Sequence, residues 1–329
     1  MPGMLSPELV GRRVVLRYRH DDPSVAPPFT DAVGTLVSLD QHAAVIRTRD
    51  GERRVPRSEL VLARAVAPSR REILDLERIA RLGWRGAAQL ELDGWQLYAD
   101  QGWTGRANSA LPLATGRRPL PEQLADVQRF YSERGLLPQI QVPLPARSQL
   151  DTELARRNWQ IQRPTLVLTR ELPLAGMGAG PADEDGLRLA ATPDDGWLGA
   201  YHYRGGRLPA FAQQLLTRHD RISFASIRRG TQVVAIGRGA VDEGWLGITA
   251  VEVEPRHRRQ GLARAVVQAL AGWAVAAHGA RVCYLQLDES NTAAHALYTR
   301  LGFTEHHRYH YRVPSQPTGA EAGAGSPSS

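Results

Sequence analysis

The chain has 329 residues, 42% of them hydrophobic and 23% charged, with a net charge of +7, so it is long enough for two or three globular domains with sizeable cores. Its one cysteine, Cys283, excludes an internal disulfide and a multi-cysteine metal site. No run of about 18 uncharged apolar residues is present and the amino terminus lacks a secretory pattern, so we expect no membrane span and a cytoplasmic location.

Residues 1–66 contain short strand-like runs separated by turn residues, such as VVLRYR, GTLVSL and AAVIRT. Asp50-Gly51 is a strong hairpin signal between two of the runs. The stretch at 21–28 holds three prolines and two aspartates and predicts a long loop. The pattern as a whole predicts a small antiparallel SH3-like β-barrel.

Residues 67–172 mix helix and strand periods. The segment REILDLERIARL has apolar residues at helical spacing after Ser69, a candidate N-cap, and a second helix is predicted from Pro121 to about Arg134. A third helix is predicted at LDTELARRNW. Strands are predicted at DGWQLYAD, TGRANSALPL, QIQVPLP and PTLVLTREL.

Residues 187–313 follow a similar order of strand, helices, three strands, helix, strand, helix and strand. The ends of the two segments match in plan, because QIQVP, LARRNW and PTLVLT parallel YLQLD, YTRLGF and HHRYHYRV. A duplication and a generic β-α-β ending fit this match equally well. Residues 173–186, rich in Gly, Ala and Pro, predict a linker, and residues 314–329 predict a disordered tail.

The sharpest signal is a turn between a strand that ends at Val253 and a long amphipathic helix. Glu254-Pro255, the basic run at 256–259 and then Gly261 precede the helix. A glycine there leaves the backbone N–H groups accessible, and the helix dipole favours an anion at this end. The pattern predicts a phosphate-binding turn, with a solvated turn or a nucleic-acid patch as the alternative. It is neither a Walker loop nor GxGxxG.

The arrangement Arg258-x-x-Gly261-x-Ala263 resembles the coenzyme A pyrophosphate loop of the GNAT superfamily of N-acetyltransferases, R/Q-x-x-G-x-G/A. The family's second element is matched by Asn291-x-x-Ala294-x-x-Leu297-Tyr298-x-x-Leu301-Gly302-Phe303. The resemblance covers residues 187–313. The middle segment looks like a degenerate first copy, with Leu154 where Tyr298 would fall. The whole plan resembles an actinobacterial subgroup that includes histone-acetyltransferase-like proteins of mycobacteria.

This resemblance implies an α/β fold with a mixed α+β sheet, a tandem GNAT acyltransferase behind the all-β barrel, and acetyl-CoA as co-substrate without a metal. The pyrophosphate would bind the loop backbone, and the strand backbone around Val251 and Val253 would pair with the pantetheine amides. The cofactor-binding residues implied in this way are Val251, Val253, Arg256, Arg258, Arg259, Gln260, Gly261, Leu262, Ala263, Arg264, Asn291 and Ala294.

The resemblance also implies direct attack of a primary amine on the thioester in a ternary complex, with Tyr298 protonating the departing thiolate. The base is less clearly implied. Many relatives carry a carboxylate earlier on the strand, where this chain has Trp245, Gly247 and Thr249. Glu252 is the candidate base. The alternatives are that a chain of water molecules removes the proton, and that Glu252 is only a surface charge.

The acceptor stays open between a protein lysine and a small-molecule amine. Candidates to line its pocket are Trp103, Arg106 and Asn108, unless they are a core tryptophan and its surface neighbours. The rival function is a non-catalytic coenzyme A-binding, nucleic-acid-binding or protein-binding module using the barrel and the arginine-rich loop. The barrel's net charge of only +2 argues against nucleic acid. No membrane partner is expected, and a homodimer stays open.

The remaining candidate site residues are expected to have structural roles. His306, His307 and His310 alternate along one predicted strand and do not converge, so we expect no metal site. Cys283 lies in a predicted strand and is expected in the core rather than as a nucleophile.

Overall fold

The computed structural model describes residues 6–19, 27–174, 186–202, 206 and 208–315. Most of the predicted loop at 21–28, most of the predicted linker at 173–186 and nearly all of the predicted tail at 314–329 lie outside these residues.

The described N-terminal residues form a five-stranded antiparallel sheet in the order β4-β3-β2-β1-β5. Leu16, Leu36 and Ile46 are fully buried in its small core. The hairpin predicted at Asp50-Gly51 is confirmed, because Thr48 pairs with Gly51 across the turn. The strands are β1 (Arg13–Arg19), β2 (Phe29–Leu39), β3 (Ala43–Thr48), β4 (Gly51–Pro56) and β5 (Leu60–Ala65).

Two halves follow the barrel. The helices and strands of the first half are α1 (Arg70–Leu82), β6 (Ala88–Leu92), β7 (Trp95–Ala99), β8 (Ala110–Pro112), α2 (Leu120–Ser132), β9 (Ile140–Leu144), α3 (Ser148–Arg156) and β10 (Trp159–Glu171). Those of the second half are β11 (Leu187–Ala190), α4 (Asp195–Ala200), α5 (Ala212–Thr217), β12 (Ile222–Arg229), β13 (Gln232–Asp242), β14 (Trp245–Val253), α6 (Leu262–His278), β15 (Val282–Asp288), α7 (Thr292–Arg300) and β16 (Thr304–Pro314).

Within the described residues, both halves contribute to one mixed sheet of eleven strands, ordered β11-β12-β13-β14-β15-β10-β16-β9-β8-β7-β6. The last strand of each half lies inside the other half. Strand β10 of the first half separates β15 from β16, and β16 of the second half separates β9 from β10. The tandem mixed-sheet fold expected from the sequence is therefore confirmed, with an exchange of strands that the sequence did not reveal.

The two halves keep a constant spacing of 144 positions over their final turns. Gly135 follows α2 and Gly279 caps the end of α6, with φ of 64° and 61°, and Asn158 and Gly302 follow α3 and α7 with φ of 59° and 79°. Helices α3 and α7 have nine residues each and also start 144 positions apart. Matching left-handed helix ends at one spacing favour duplication over a generic β-α-β ending.

Helix α1 crosses the centre of the large sheet and buries a polar side chain there. It begins at the predicted cap, where Ser69 and Glu72 form a capping box. Glu77 is 1% exposed and accepts hydrogen bonds from the side chains of Gln141 and Gln286. His307 Nε2 lies 2.8 Å from Glu77 Oε1. These partners come from β9, β15 and β16, so Glu77 ties both halves together at the exchanged strands.

The barrel contacts the large sheet at the end opposite to the carboxyl ends of β14 and β15. Arg13 Nε donates to Glu72 Oε1 at 2.8 Å, and Arg47 forms an ion pair with Glu171. A groove of about 1820 Å³ lies between the two units, and the first residues of β14 and β15, Trp245 and Val282, line it. The barrel is thus positioned away from the carboxyl ends of these strands.

One strand prediction is wrong in part. The segment TGRANSALPL was expected to be one strand, but residues 105–107 form a 3-10 turn and only Ala110–Pro112 is a strand. Asn108 interrupts it, because its Oδ1 accepts from the backbone N–H groups of Asp100 and Gly102 and so stabilises a turn.

Candidate active site

Strands β14 and β15 run parallel and then separate. They pair from Trp245 with Val282 to Ile248 with Leu285, after which each continues without the other. A bulge in β14 coincides with the separation, because the register against β13 shifts beyond Thr249 and Ala250 takes a φ of 54°. The result is a wedge-shaped cleft between the carboxyl ends of two strands.

The cleft edge of β14 carries backbone polar groups. The Glu254 N–H donates to Val234 O at 2.9 Å, so strand alternation turns the backbone groups of Val251 and Val253 away from β13 and toward the cleft. One of these backbone groups already has a partner, because Arg258 Nε donates to Val253 O at 3.2 Å. Thr249 Oγ1 is buried without a hydrogen-bond partner in the described part of the chain.

The turn after β14 leads into α6 without a side-chain cap. The Glu254 carboxylate accepts from the Arg256 N–H at 3.1 Å and lies 2.6 Å from His257 Nδ1, which fixes the start of the turn. Arg259 and Gly261 have φ of 62° and 81°, and a Cβ at Gly261 would meet no atom within 4 Å. The first turn of this 17-residue helix therefore presents its N–H groups and its positive dipole end to an open space.

The basic residues expected at this turn surround that space from the surface. Arg256, Arg258 and Arg259 are exposed, as are Gln260 and Arg264 on either side of the helix start, whereas Leu262 is buried in the core and Ala263 is half-buried. The structure thus brings the loop residues together at the end of β14.

Tyr298 lies on α7, behind the cleft. The helix begins at Asn291, whose Oδ1 accepts from the Ala294 N–H at 3.0 Å, so the two residues have a capping role in the structure. Tyr298 is 7% exposed, and its ring meets Phe303 edge-on with centroids 5.7 Å apart. Burial raises the pKa of the Tyr298 hydroxyl above its ordinary value, so the group holds its proton at neutral pH.

Glu252 is the carboxylate that β14 presents near the cleft. Both of its oxygens lie 3.1 Å from the His202 backbone nitrogen, which donates to them. Burial raises the pKa of the Glu252 carboxyl despite this hydrogen bond. A carboxylate at Gly247 is sterically excluded, because a Cβ there would lie 2.4 Å from the Tyr284 hydroxyl.

His202 also borders a cavity of about 300 Å³ that sequence reasoning missed. Helices α4 and α5, of six residues each, are too short to give a distinct sequence pattern. The cavity is lined by Leu198, Gly199, Tyr201, His202, Leu208, Pro209, Ala210 and Gln213.

Three side chains of the first half, Trp84, Trp103 and Arg106, form a wall beside the cleft. Arg106 donates from Nε to Gln286 Oε1 at 2.8 Å and from Nη2 to Gln286 O at 3.2 Å, one residue past the last β14–β15 pair. The Trp84 ring contacts the guanidinium groups of Arg106 and Arg238, whose centres are 5.6 Å and 5.0 Å from its centroid. Trp103 meets Tyr201 edge-on at 6.2 Å.

Of the three residues proposed for the acceptor pocket, two lie on this wall and one does not. Trp103 and Arg106 contact residues of the second half beside the cleft. Asn108 is 1% exposed, and besides its bonds to the turn it donates to Thr104 O at 2.8 Å, so it is a structural residue. The partners Trp84, Arg238 and Gln286 had no sequence signal because their contacts join distant segments.

The corresponding position of the first half has different chemistry. Strands β8 and β9 share one parallel pair, Ala110 with Ile140. Pro119 stands at the N-cap of α2 and Leu154 is buried in an apolar core cluster. Gly261 is the N-cap of α6, so Pro119 stands where the second half has Gly261.

The remaining candidates have structural partners. His307 contacts Glu77, and His310 Nε2 lies 2.6 Å from Asp151 Oδ1. Cys283 is fully buried and burial raises its pKa, as expected of a core thiol. In the ranges that the structure describes, no cluster of three or more side chains could ligate a metal, and no helix has the length and apolarity to cross a bilayer.

Comparison with known proteins gives matches over most of the chain. The family model "Probable histone acetyltransferase Rv0428c C-terminal" matches residues 70–312, and "Rv0428c N-terminal Sm-like domain" matches residues 8–64. The probable histone acetyltransferase Rv0428c of Mycobacterium tuberculosis is 32% identical over 324 residues, covering 94% of this chain and 97% of the relative. The uncharacterized N-acetyltransferase YobR of Bacillus subtilis is 24% identical over 246 residues, covering 74% and 98%.

Solved structures share the fold. The GCN5-related N-acetyltransferase from Kribbella flavida matches with a TM-score of 0.54 and 15% identity, covering 74% of this chain and 96% of that one. A tandem GNAT protein from the clavulanic acid biosynthesis pathway matches with a TM-score of 0.52 and 13% identity, covering 76% and 92%.

The sheet with its parting parallel strands and the turn into α6 are those of a GNAT-type acyltransferase, and both relatives are named as acetyltransferases. The chain belongs to the family of the probable histone acetyltransferase Rv0428c. Its N-terminal unit is the Sm-like domain of that family, a small antiparallel barrel that the sequence analysis described as SH3-like.

Proposed function

We propose that this acetyltransferase binds acetyl-CoA in the cleft of the second half and transfers the acetyl group directly to a primary amine. The observation that carries the proposal is the uncapped start of α6 behind Gly261, where free N–H groups, the helix dipole and exposed arginines suit a diphosphate. The cleft edge at Val251 and the unpartnered Thr249 hydroxyl fit a polar chain laid along β14.

The catalytic groups proposed are Glu252 and Tyr298. Acetyl-CoA, when bound, supplies the thioester. An alkylammonium has a pKa of about 10, so Glu252 first accepts a proton from the acceptor nitrogen. The nitrogen then forms a bond to the acetyl carbon while the carbon–sulfur bond breaks, and Tyr298 donates its proton to the departing thiolate. The acylated nitrogen loses its second proton, which restores the Tyr298 hydroxyl, and Glu252 releases the first proton to solvent. The raised pKa of the Glu252 carboxyl suits its role as a proton acceptor.

We further propose a division of labour along the chain. Residues 187–313 would hold acetyl-CoA, residues 67–172 would shape the acceptor side through Trp103 and Arg106, and residues 1–66 would form a separate unit. From Trp245, which borders the barrel groove, to Glu252 is seven residues, or about 23 Å at roughly 3.3 Å per residue. The barrel would therefore act at a distance from the acetyl transfer.

The rival function is a binding module without catalysis. The barrel groove mixes arginines with acidic side chains, and several of these are already paired, as Arg13 is with Glu72 and Arg47 with Glu52. Such a surface offers little net charge to a nucleic acid. A salt titration against DNA beside an acetyl-transfer assay separates the two functions, because the rival requires a steep salt dependence without transfer.

Gly261→Glu is expected to abolish measurable acetyl-CoA binding. The substitution places a carboxylate at the anion position and also strains a residue with φ of 81°. Isothermal titration calorimetry checks the result, with Gly272→Glu as the control because a Cβ at Gly272 of α6 also meets no neighbour. Retained binding by the Gly261 variant would rule out the loop as the diphosphate site.

Tyr298→Phe is expected to lower kcat by at least about tenfold with little change in acetyl-CoA affinity, because the variant keeps the ring packing and loses only the proton donor. Free-thiol release at saturating substrates measures kcat, and calorimetry measures the affinity. The matched control is Tyr309→Phe, a buried tyrosine on β16 whose hydroxyl contacts Gln286 instead of α7. Equal turnover in wild type and Tyr298→Phe would remove Tyr298 as the acid.

Glu252→Gln is expected to change the pH profile of kcat/KM. In the wild type, activity is lost as pH falls through the Glu252 pKa, which burial places above its usual 4.5, because the protonated carboxyl accepts no proton. The variant depends on free amine alone, so its rate should rise about tenfold per pH unit up to the amine pKa of about 10. Glu243→Gln, in the turn before β14, is the control. A variant profile parallel to that of the wild type would argue for a water chain instead.

A further inference from the structure

The cavity beside Glu252 has a size and a lining that select among amines. At about 300 Å³ it is at the lower limit of small-molecule sites and equals about ten water volumes at roughly 30 Å³ each. His202 connects it to the candidate base, since His202 lines the cavity and its backbone N–H donates to Glu252. An amine whose nitrogen reaches Glu252 would have its remaining atoms in this cavity.

The described lining holds no aspartate or glutamate. It is built from Leu198, Tyr201, Leu208 and other uncharged residues, and His202 is the one basic side chain of the described lining. A second ammonium or guanidinium group in this space would lose part of its water shell without gaining a carboxylate, which disfavours its binding. An aliphatic or aromatic body, in contrast, gains by burial against leucine and tyrosine.

Aromatic side chains pack against the cavity lining and hold it in place. Tyr201 is 5% exposed and lies edge-on between Trp103 of the first half and Trp197 of α4, with centroids 6.2 Å and 5.4 Å away. Trp197 Nε1 in turn donates to Ala225 O at 3.1 Å on β12. This wall of aromatic rings limits how far the cavity can expand toward the sheet.

We infer that the acceptor is a small monoamine with an uncharged, largely apolar body, rather than a polyamine or a lysine-rich protein tail. The inference rests on the proposed function, because it assigns Glu252 to the acceptor nitrogen. It deepens that function by giving the acceptor class, and it makes Gln213 of α5 a specificity-determining position at the cavity wall.

The test compares butylamine with 1,4-diaminobutane, which differ by one ammonium group, and adds a lysine-rich peptide. Acetyl-CoA-dependent thiol release by the full-length protein gives kcat/KM for each acceptor. The chain has no lysine, so acetylation of its own lysine side chains cannot contribute. We expect butylamine to be preferred at least tenfold over the diamine and the peptide.

Gln213→Glu is the sharper test, because it adds a carboxylate to the lining. It should shift the preference toward the diamine by about tenfold. Gln214→Glu adds the same charge to an exposed position of α5 that does not line the cavity, and should leave the preference unchanged.

Three outcomes would overturn the inference. A wild-type preference for the diamine or the peptide, or equal shifts in the Gln213 and Gln214 variants, would refute the acceptor class while leaving acetyl transfer in place. If acetyl-CoA binds saturably but none of the amines supports thiol release, both the proposed function and the inference are refuted.

Discussion

The antiparallel pairing of β10 with β16 is the interaction on which the rest of the structure depends. Each strand ends one half of the chain and lies inside the sheet of the other, so neither half completes its sheet alone. The exchange brings Glu77 of the first half onto Gln286 and His307 of the second, where the buried carboxylate has polar partners on three sides. It also explains why Arg106 reaches a cleft that belongs to the other half.

Under the proposed function, the two halves of the large sheet have different tasks. Leu154 occupies the position of Tyr298 at the spacing of 144 residues, and Pro119 is the N-cap of α2 where α6 has Gly261, so the first half has neither the proposed acid nor the glycine turn. Trp84 contacts the guanidinium groups of Arg106 and Arg238, and Trp103 packs against Tyr201, so the first half forms a wall beside the cleft of the second. On this proposal, the second half would carry out the chemistry and the first would shape the acceptor side.

The sequence predicted those features that depend on neighbouring residues. The Ser69 cap, the hairpin at Gly51 and the turn at Gly261 before α6 are local, since each needs only a few adjacent residues. The strand exchange and the contact of Arg106 with Gln286 join segments up to 180 positions apart, and no periodicity reports them. The cavity at α4 and α5 was missed because helices of six residues give no distinct sequence pattern. Asn108 shows the same limit, because a polar residue near a predicted pocket was a buried turn residue.

The central claim is that the second half binds acetyl-CoA and the first half only supports its cleft. Amide hydrogen exchange with and without acetyl-CoA tests this claim most directly. The account predicts slower exchange on addition of acetyl-CoA at the amides of Val251, Val253 and residues 262–264, where the cleft edge and the uncapped helix start would gain acceptors. It predicts no change at residues 110–120, the matching turn of the first half. Protection in the first-half turn, or none at the start of α6, would contradict it.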